Sequence, residues 1–203
     1  MTDIDPIITS SEHTGLLHHA DRHKWNEKHR AAAPSYEPHP LVGQSITAGL
    51  DSGPVLELAC GISGSALYLA GLGFDVTVVD VSDIALLRLM AEARRRGIEQ
   101  RITPVFEDLT TFTPPVDAFS LVLCTCYWNS DLFARACAAV AVGDGLLAWE
   151  AVSDAEHGFR RSWCVGPGEP AALLPNGYVV VQEEDVPSGK HDSRRVLARR
   201  EVG

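Results

Sequence analysis

Short apolar runs alternate with amphipathic stretches through the middle of this chain. Val55-Leu56-Glu57-Leu58-Ala59 has the composition of a buried strand, and residues 74–80 form a second run that is rich in β-branched side chains. The same reasoning predicts three further strands, at 101–106, 119–124 and 146–151. Helices are predicted between the strands, at 65–71, 83–96 and 131–142. Strands that alternate with helices in this way predict five parallel strands in one α/β sheet.

The two ends of the chain depart from this alternation. Two short helices are expected first, one over residues 22–30 with Asp21 as its cap and one over 41–49. Residues 153–176 have loop composition, and strands at 178–186 and 194–200 flank the turn Pro187-Ser188-Gly189, which predicts an antiparallel hairpin at the sheet edge. We therefore expect one domain with a Rossmann-like doubly wound sheet. Its parts are N-terminal helices in 1–50, a core in 52–152, and a C-terminal loop and hairpin in 153–203.

Composition narrows the class of function. The formal net charge of −10 disfavours a nucleic-acid partner, because such partners are bound through basic surfaces. No apolar run approaches 18 residues, and the acidic start lacks the apolar stretch of a secretory signal. Five cysteines, an odd number on predicted core elements, favour reduced thiols. We expect a cytoplasmic protein with a small-molecule partner and no membrane partner, while the oligomeric state is not readable from the sequence.

The segment from Glu57 to Gly64 is the strongest candidate for a ligand site. It follows the first predicted strand, and ligands of open parallel sheets bind beyond the carboxyl ends of the strands. Gly61 and Gly64 leave room for a ligand to approach the backbone, and Asp80, 19 residues after Gly61, can accept hydrogen bonds from two ribose hydroxyls. Ala59-x-Gly61-x-x-Gly64 also fits a relaxed dinucleotide fingerprint, and a tight turn without any ligand is the simplest alternative.

These residues resemble a known family. Residues 55–64, followed by Val78-Val79-Asp80-Val81-Ser82, are similar to the first two motifs of class I S-adenosylmethionine-dependent methyltransferases. Glu107-Asp108-Leu109 resembles the acidic motif that contacts adenine in that family, and residues 145–147 resemble the turn before its fifth strand. Residues 24–26 and 168–174 are similar to tellurite-resistance-type members. The resemblance implies S-adenosyl-L-methionine as cofactor and methyl transfer to a small-molecule acceptor. The cofactor-binding residues that it implies are Trp25, Glu57, Ala59, Gly61, Gly64, Asp80, Val81, Asp108, Leu109 and Cys124.

Three positions depart from the family pattern. Ala59 stands at the first loop glycine, Ser63 at the second, and Ser120 replaces an aspartate that often opens the fourth strand. A nicotinamide-dependent reductase and a non-catalytic cofactor-binding module are the alternative functions. Glu57 and the C-terminal hairpin favour the methyl donor over nicotinamide, because the family keeps a carboxylate near the methionine amino group and a full dinucleotide fold needs further helices.

In-line methyl transfer from an activated donor needs mainly alignment. By resemblance, the loop after the fourth strand faces the methyl group, so we expect Tyr127 or Trp128 to line the acceptor pocket, with packing as the alternative. A thiol, metalloid, hydroxyl or amine acceptor is compatible with the sequence, and His157, Glu150 and Glu169 are weaker candidates for a base. No metal site is predicted, because Cys124-x-Cys126 lacks a second cysteine pair. His19 and His23 are expected on a solvated helix face, and Trp25 as a lid over the cofactor or as a packing residue.

Overall fold

The computed structural model describes residues 15–153, 163–187 and 192–202. The helices are α1 (Ala20–Ala31), α2 (Pro40–Thr47), α3 (Gly64–Gly71), α4 (Asp83–Arg96) and α5 (Ser130–Ala139). The strands are β1 (Val55–Leu58), β2 (Val76–Asp80), β3 (Ile102–Phe106), β4 (Leu121–Thr125), β5 (Leu146–Val152), β6 (Tyr178–Val186) and β7 (Ser193–Arg200). In the described ranges, no helix has the length and apolar character needed to cross a membrane.

The strands form one seven-stranded sheet in the order β3-β2-β1-β4-β5-β7-β6. β2 pairs with β3 in parallel, and β4 pairs with β5 in parallel. β7 runs antiparallel to both β5 and β6, and the β6 pairing has an irregularity between Val180 and Gln182. The mixed sheet with a C-terminal antiparallel pair confirms the predicted fold class.

Two compact units divide the chain. The first contains residues 1–39 and 57–112, and the second contains residues 40–56 and 113–203. In the first unit, buried side chains such as Leu58, Val78 and Leu89 come from the end of β1, from β2 and from α4. In the second, Trp149 of β5 is fully buried and packs against Phe133 of α5, with ring centroids 5.1 Å apart. The single-domain division expected from the sequence stays a prediction.

Local capping explains where several helices begin and end. The Ser82 hydroxyl accepts the Ala85 N–H at the start of α4, and Gly97 ends that helix in a left-handed conformation with φ of 71°. Both were predicted from the sequence. The cap of α1 was predicted wrongly: His19 is the cap residue, and Asp21 lies inside the first turn. α5 also ends earlier than expected, at Ala139, because Val140 adopts an extended conformation.

Candidate cofactor-binding site

The chain leaves β1 through a left-handed turn. Ala59 and Gly61 have φ angles of 52° and 55°. This conformation costs a residue with a Cβ roughly 1–2 kcal/mol, so Ala59 carries strain at a position where the family that the sequence resembles has glycine. The Gly61 N–H donates to Asp80 Oδ2 at 2.8 Å, which ties the turn to the end of β2.

Asp80 has the geometry of an acceptor for a vicinal diol. Its side chain is buried, with 7% of the residue exposed. Oδ2 accepts the Gly61 N–H, and Oδ1 accepts the Ser82 N–H at 2.7 Å. A carboxylate offers about four lone-pair sites, so each oxygen keeps acceptor capacity for one further donor. Burial raises the pKa of Asp80, while backbone hydrogen bonds, those from Ser82 and Gly61 foremost, oppose that rise. The residues present therefore fit the ribose of an adenosyl cofactor.

Glu57 and Ser63 form a buried pair at the other end of the turn. Glu57 is 3% exposed, and the Ser63 hydroxyl lies 2.8 and 2.7 Å from its two carboxyl oxygens. Burial raises the pKa of Glu57 to about 8, although the hydrogen bond from Ser63 opposes the rise, so this carboxyl holds a proton at neutral pH. Ser63 Oγ also accepts the Ala66 N–H and caps α3. The serine therefore has two partners that a glycine would lack.

Gly64 makes room for the chain itself. A Cβ at this position would lie 2.3 Å from the Glu37 carbonyl oxygen and 2.5 Å from the carbonyl carbon of Tyr36. Glycine is required because the backbone of the segment before α2 passes directly over the first turn of α3. This close approach is a reason for the glycine that the sequence did not reveal, and a direct role of Gly64 toward a cofactor stays a prediction.

α1 is fixed to the start of α4 by polar contacts. Arg22 makes a bidentate ion pair with Asp83, with distances of 2.8 and 2.9 Å. The Asn26 amide donates to Asp83 Oδ1 at 2.8 Å, and its oxygen accepts the Ser82 hydroxyl at 2.7 Å. Burial favours a higher pKa for Asp83, but the hydrogen bonds from Arg22 and Asn26 and the charge of Arg22 outweigh it and lower the pKa.

Two histidines extend this polar face of α1 in both directions. His19 Nε2 lies 3.5 Å from Asp108 Oδ2, in the loop after β3. At the other end, a Cβ added to Gly61 would lie 3.2 Å from the His29 ring. Burial, together with the charges of Lys28 and Arg88, lowers the pKa of His29. α1 therefore contacts the loops that follow β1, β2 and β3. His23 is exposed, as expected of a solvated helix face, whereas His19 is the cap residue of the helix and its half-buried side chain faces Asp108.

Arg22 and His29 were not predicted from the sequence, and Asn26 had no predicted role of its own. The available signal was the spacing of Arg22, Asn26 and His29, which puts three polar side chains on one face of a helix that has no apolar face. Trp25 lies beside this stripe, half-buried, with its ring stacked on His29 at 5.9 Å and Lys28 Nζ 4.3 Å from its centroid. Its predicted contact with a cofactor stays a prediction.

The loop after β3 carries the acidic pair expected near adenine. The Thr110 N–H donates to Asp108 Oδ1 at 2.9 Å, and the Thr110 hydroxyl donates to Asp108 Oδ2 at 2.6 Å. Leu109 is buried, and Val81, after β2, is half-buried. The carboxylate of Asp108 therefore holds its own loop in shape, and its role toward adenine stays a prediction.

Cys124, predicted beside the cofactor, lies in the second unit with Tyr127 and Trp128, which were predicted to line the acceptor pocket. Cys124 is fully buried at the end of β4. Trp128 is 5% exposed and packs against Phe133 and Trp149, with ring centroids 5.4 and 6.2 Å apart. These are the surroundings that the packing alternative described. The Tyr127 carbonyl accepts the Trp149 indole N–H at 3.0 Å. Tyr127 is half-buried, so it is more accessible than Trp128.

Two candidate bases have protein partners. Glu150 Oε1 accepts the Ser193 hydroxyl at 2.6 Å, and Oε2 is bound by Arg195. Glu169 Oε2 accepts the Gly166 N–H at 3.0 Å. Both contacts tie the carboxylates to neighbouring chain segments, as expected of structural groups. The third candidate, His157, lies outside the described residues.

Comparison with known proteins agrees with this geometry. Residues 55–145 match a family model described as a methyltransferase domain. No curated protein sequence matches the chain. The segment that matches the family contains β1 to α5, and therefore the glycine turn and Asp80.

Solved structures similar to this one share its fold. An N1-methyltransferase of 1,6-didemethyltoxoflavin from Burkholderia thailandensis, with S-adenosylhomocysteine bound, is 18% identical with a TM-score of 0.69, covering 98% of this chain and 93% of its own. TehB from Haemophilus influenzae is 16% identical with a TM-score of 0.65, covering 88% and 66%. The magnesium protoporphyrin IX methyltransferase of Synechocystis PCC 6803, with S-adenosylmethionine bound, is 16% identical with a TM-score of 0.62, covering 79% and 76%.

The family model, the fold and the buried acidic acceptor beside the glycine turn agree with the resemblance seen in the sequence. Over residues 55–145 the chain is similar to a family described as a methyltransferase domain, and it shares the fold of the methyltransferase structures named above.

Proposed function

We propose that this protein transfers the methyl group of S-adenosyl-L-methionine to a small-molecule acceptor. The observation that carries the proposal is Asp80, a buried carboxylate at the end of β2 whose two oxygens are each held by one backbone N–H. It lies in the segment that matches the methyltransferase domain, and it retains acceptor capacity for two ribose hydroxyls. The methyltransferases similar in fold have small-molecule substrates in their descriptions, which supports the same class of acceptor here.

Residues at the carboxyl ends of β1, β2 and β3 each have a proposed role toward the cofactor. Asp80 binds the ribose, and Asp108 with Leu109 lies beside the adenine. The backbone around Gly61 approaches the methionine portion, with the Glu57 carboxyl below it. Val81, Trp25, Ala59, Gly64 and Cys124 complete the proposed contacts. α1 excludes water from above, because its polar stripe lies on the loops after β1, β2 and β3.

The chemistry asked of the chain is alignment. The cofactor supplies a methyl group on a positively charged sulfur, which is already activated toward a nucleophile. Tyr127 can present an aromatic face to that charge, since its side chain is half-buried and the neighbouring Trp128 is used in packing. A thiol or metalloid acceptor needs no strong base, whereas a hydroxyl or amine acceptor needs a group that removes a proton. Glu150 is held by Ser193 and Arg195, which makes it a poor candidate for that group.

The surroundings proposed for this activity follow from composition. The odd number of cysteines, five, favours reduced thiols, so we place the protein in the cytoplasm. A net charge of −10 disfavours a nucleic-acid acceptor.

A turnover assay tests the proposal. Purified protein is incubated with S-adenosylmethionine and a panel of thiol, metalloid, hydroxyl and amine acceptors, and S-adenosylhomocysteine is quantified by mass spectrometry. We expect acceptor-dependent product with at least one class, and strongly reduced product with Asp80→Ala. Cofactor binding without turnover on the whole panel would instead support a non-catalytic binding module.

A further inference from the structure

Asn26 is an unusual residue within α1. It is 2% exposed, and it is the one buried residue of a helix whose other side chains are half-buried or exposed. Burying an amide without partners is unfavourable, so its position must be justified by its hydrogen bonds. Hydrophobic docking does not explain it, because α1 has no apolar face.

The hydrogen bonds of Asn26 lead directly to the proposed ribose acceptor. Asn26 Oδ1 accepts the Ser82 hydroxyl at 2.7 Å, and the Ser82 N–H donates to Asp80 Oδ1 at 2.7 Å. Asp80 Oδ2 accepts the Gly61 N–H at 2.8 Å. The chain of contacts Asn26–Ser82–Asp80–Gly61 therefore joins α1 to the turn after β1 through the carboxylate itself.

The hydrogen-bond partners of the Asn26 amide fix its orientation; its oxygen also accepts the Ile84 N–H at 3.4 Å. Its NH₂ group donates to Asp83 Oδ1 at 2.8 Å, and an ionised carboxylate can only accept. The lowered pKa of Asp83 keeps that carboxylate ionised. Ser82 Oγ already accepts the Ala85 N–H, and its hydroxyl hydrogen goes to Asn26. Rotating the amide by 180° would oppose two acceptors at Asp83, so the side chain has one satisfactory orientation.

We propose that Asn26 is a positioning residue for the ribose of the cofactor, acting on Asp80 through Ser82. The inference rests on the proposed use of Asp80 as the ribose acceptor. Losing Asn26 frees the Ser82 hydroxyl, which loosens the backbone N–H that aligns one oxygen of Asp80. Hydrogen-bonding sites of this kind lose affinity when their supporting residues relax. By linkage, a bound cofactor stabilises the docking of α1 to the same degree.

A double-mutant cycle tests this proposal by calorimetry with S-adenosylhomocysteine. The four proteins are the wild type, Asn26→Ala, Asp80→Asn and the double variant. We expect Asn26→Ala to weaken binding about tenfold in the wild-type background, the effect of one well-placed hydrogen bond. In the Asp80→Asn background the same change should weaken binding less than about twofold, because the group on which Asn26 acts is already altered. Circular dichroism confirms that each variant is folded.

Arg22→Ala is the matched control. It removes a second contact between α1 and Asp83 but leaves the Asn26–Ser82 bond. Amide NMR of the ligand-free protein gives an independent readout: Asn26→Ala should shift the Gly61 amide resonance, whereas Arg22→Ala should leave it near its wild-type position. If Asn26→Ala does not fold, Ser82→Ala breaks the same link from the other side.

The outcomes separate this inference from the proposed function. If the wild type does not bind S-adenosylhomocysteine, the proposed function fails and the inference fails with it. If the wild type binds and Asp80→Asn weakens binding, the proposed use of Asp80 as the ribose acceptor stands. The inference is then overturned by an Asn26→Ala effect that is equal in both backgrounds, by no effect in either, or by an unmoved Gly61 amide.

Discussion

Replacing Gly64 by alanine places a methyl group against the backbone of residues 36 and 37. The added Cβ would lie 2.3 Å from the Glu37 carbonyl oxygen, 2.5 Å from the Tyr36 carbonyl carbon and 2.7 Å from that of Glu37. Ordinary contacts begin near 3.4 Å, so the segment must move by about 1 Å. All three atoms belong to the backbone, so no side-chain rotation relieves the overlap.

Two opposing free-energy terms decide whether Gly64→Ala stabilises or destabilises the protein. Overpacking of this kind costs about 1–3 kcal/mol, while alanine gains at most about 1 kcal/mol over glycine within a helix. Gly64 is the first residue of α3, where that gain is smaller. We expect Gly64→Ala to reduce the free energy of unfolding by about 1–2 kcal/mol. For a chain of this length, this lowers Tm by about 2–8 °C.

Thermal unfolding followed by circular dichroism measures the effect, and Gly71→Ala is the matched control. Gly71 lies in the same helix, and a Cβ there meets no atom within 4 Å among the described residues. We expect Gly71→Ala to keep or raise Tm. Equal stability of the two variants would refute the argument that residues 36 and 37 press on Gly64.

Three further changes test other parts of the first unit. Ala59→Gly should raise the free energy of unfolding by about 1 kcal/mol in urea titrations, because φ of 52° strains an alanine; a loss of stability would contradict this. In the folded protein the pKa of Glu57 is raised from an ordinary 4.5 to about 8. As the pH rises, the unfolded state therefore loses this proton before the folded state does. Between pH 4.5 and about pH 8 the free energy of unfolding should fall by up to about 1.4 kcal/mol per pH unit. Glu57→Gln should flatten that slope in unfolding midpoints at pH 5 and pH 8, and an unchanged slope would assign it to another group. Arg22→Ala should destabilise by about 1–3 kcal/mol at pH 7, because a buried carboxylate loses its bidentate partner. Because the pKa of Asp83 is lower in the folded state, its ionised carboxylate stabilises the fold at pH values above the ordinary aspartate pKa. This stabilisation is lost as the pH falls through the folded-state pKa, so the effect of Arg22→Ala should shrink in acid. An effect that does not change with pH would contradict the ion pair.

The sheet was predictable from the sequence because its strands are short apolar runs bounded by polar turns. Val55–Leu58 and Leu121–Thr125 are buried along nearly their whole length, which leaves a continuous apolar signal. The cap at Ser82 and the stop at Gly97 were equally readable, since a side-chain acceptor and a left-handed glycine act locally. Strand ends shifted by one to two residues, because pairing partners rather than composition decide where a ladder stops.

The docking of α1 was not predictable in the same way. Its contacts are polar and join residues more than 50 positions apart, such as Asn26 with Ser82 and Arg22 with Asp83. Hydrophobic periodicity does not indicate such polar pairs, and a stripe of polar residues on a helix predicts a face exposed to solvent. Ser63 was noticed as a departure from the family pattern, but its hydrogen bonds to Glu57 depend on the three-dimensional turn.

Calorimetric titration with S-adenosylhomocysteine tests whether Asp80 binds the ribose of the cofactor. The comparison is between the wild type, Asp80→Ala and the control Asp75→Ala, whose side chain lies just before β2, is 77% exposed and pairs with Arg101 at the surface. We predict saturable binding by the wild type and by Asp75→Ala, and binding weakened by about 100-fold or more in Asp80→Ala, because two charge-assisted hydrogen bonds to the ribose are lost. Absence of binding by the wild type, or equal affinity of Asp80→Ala and Asp75→Ala, would contradict the proposal that Asp80 binds the cofactor ribose.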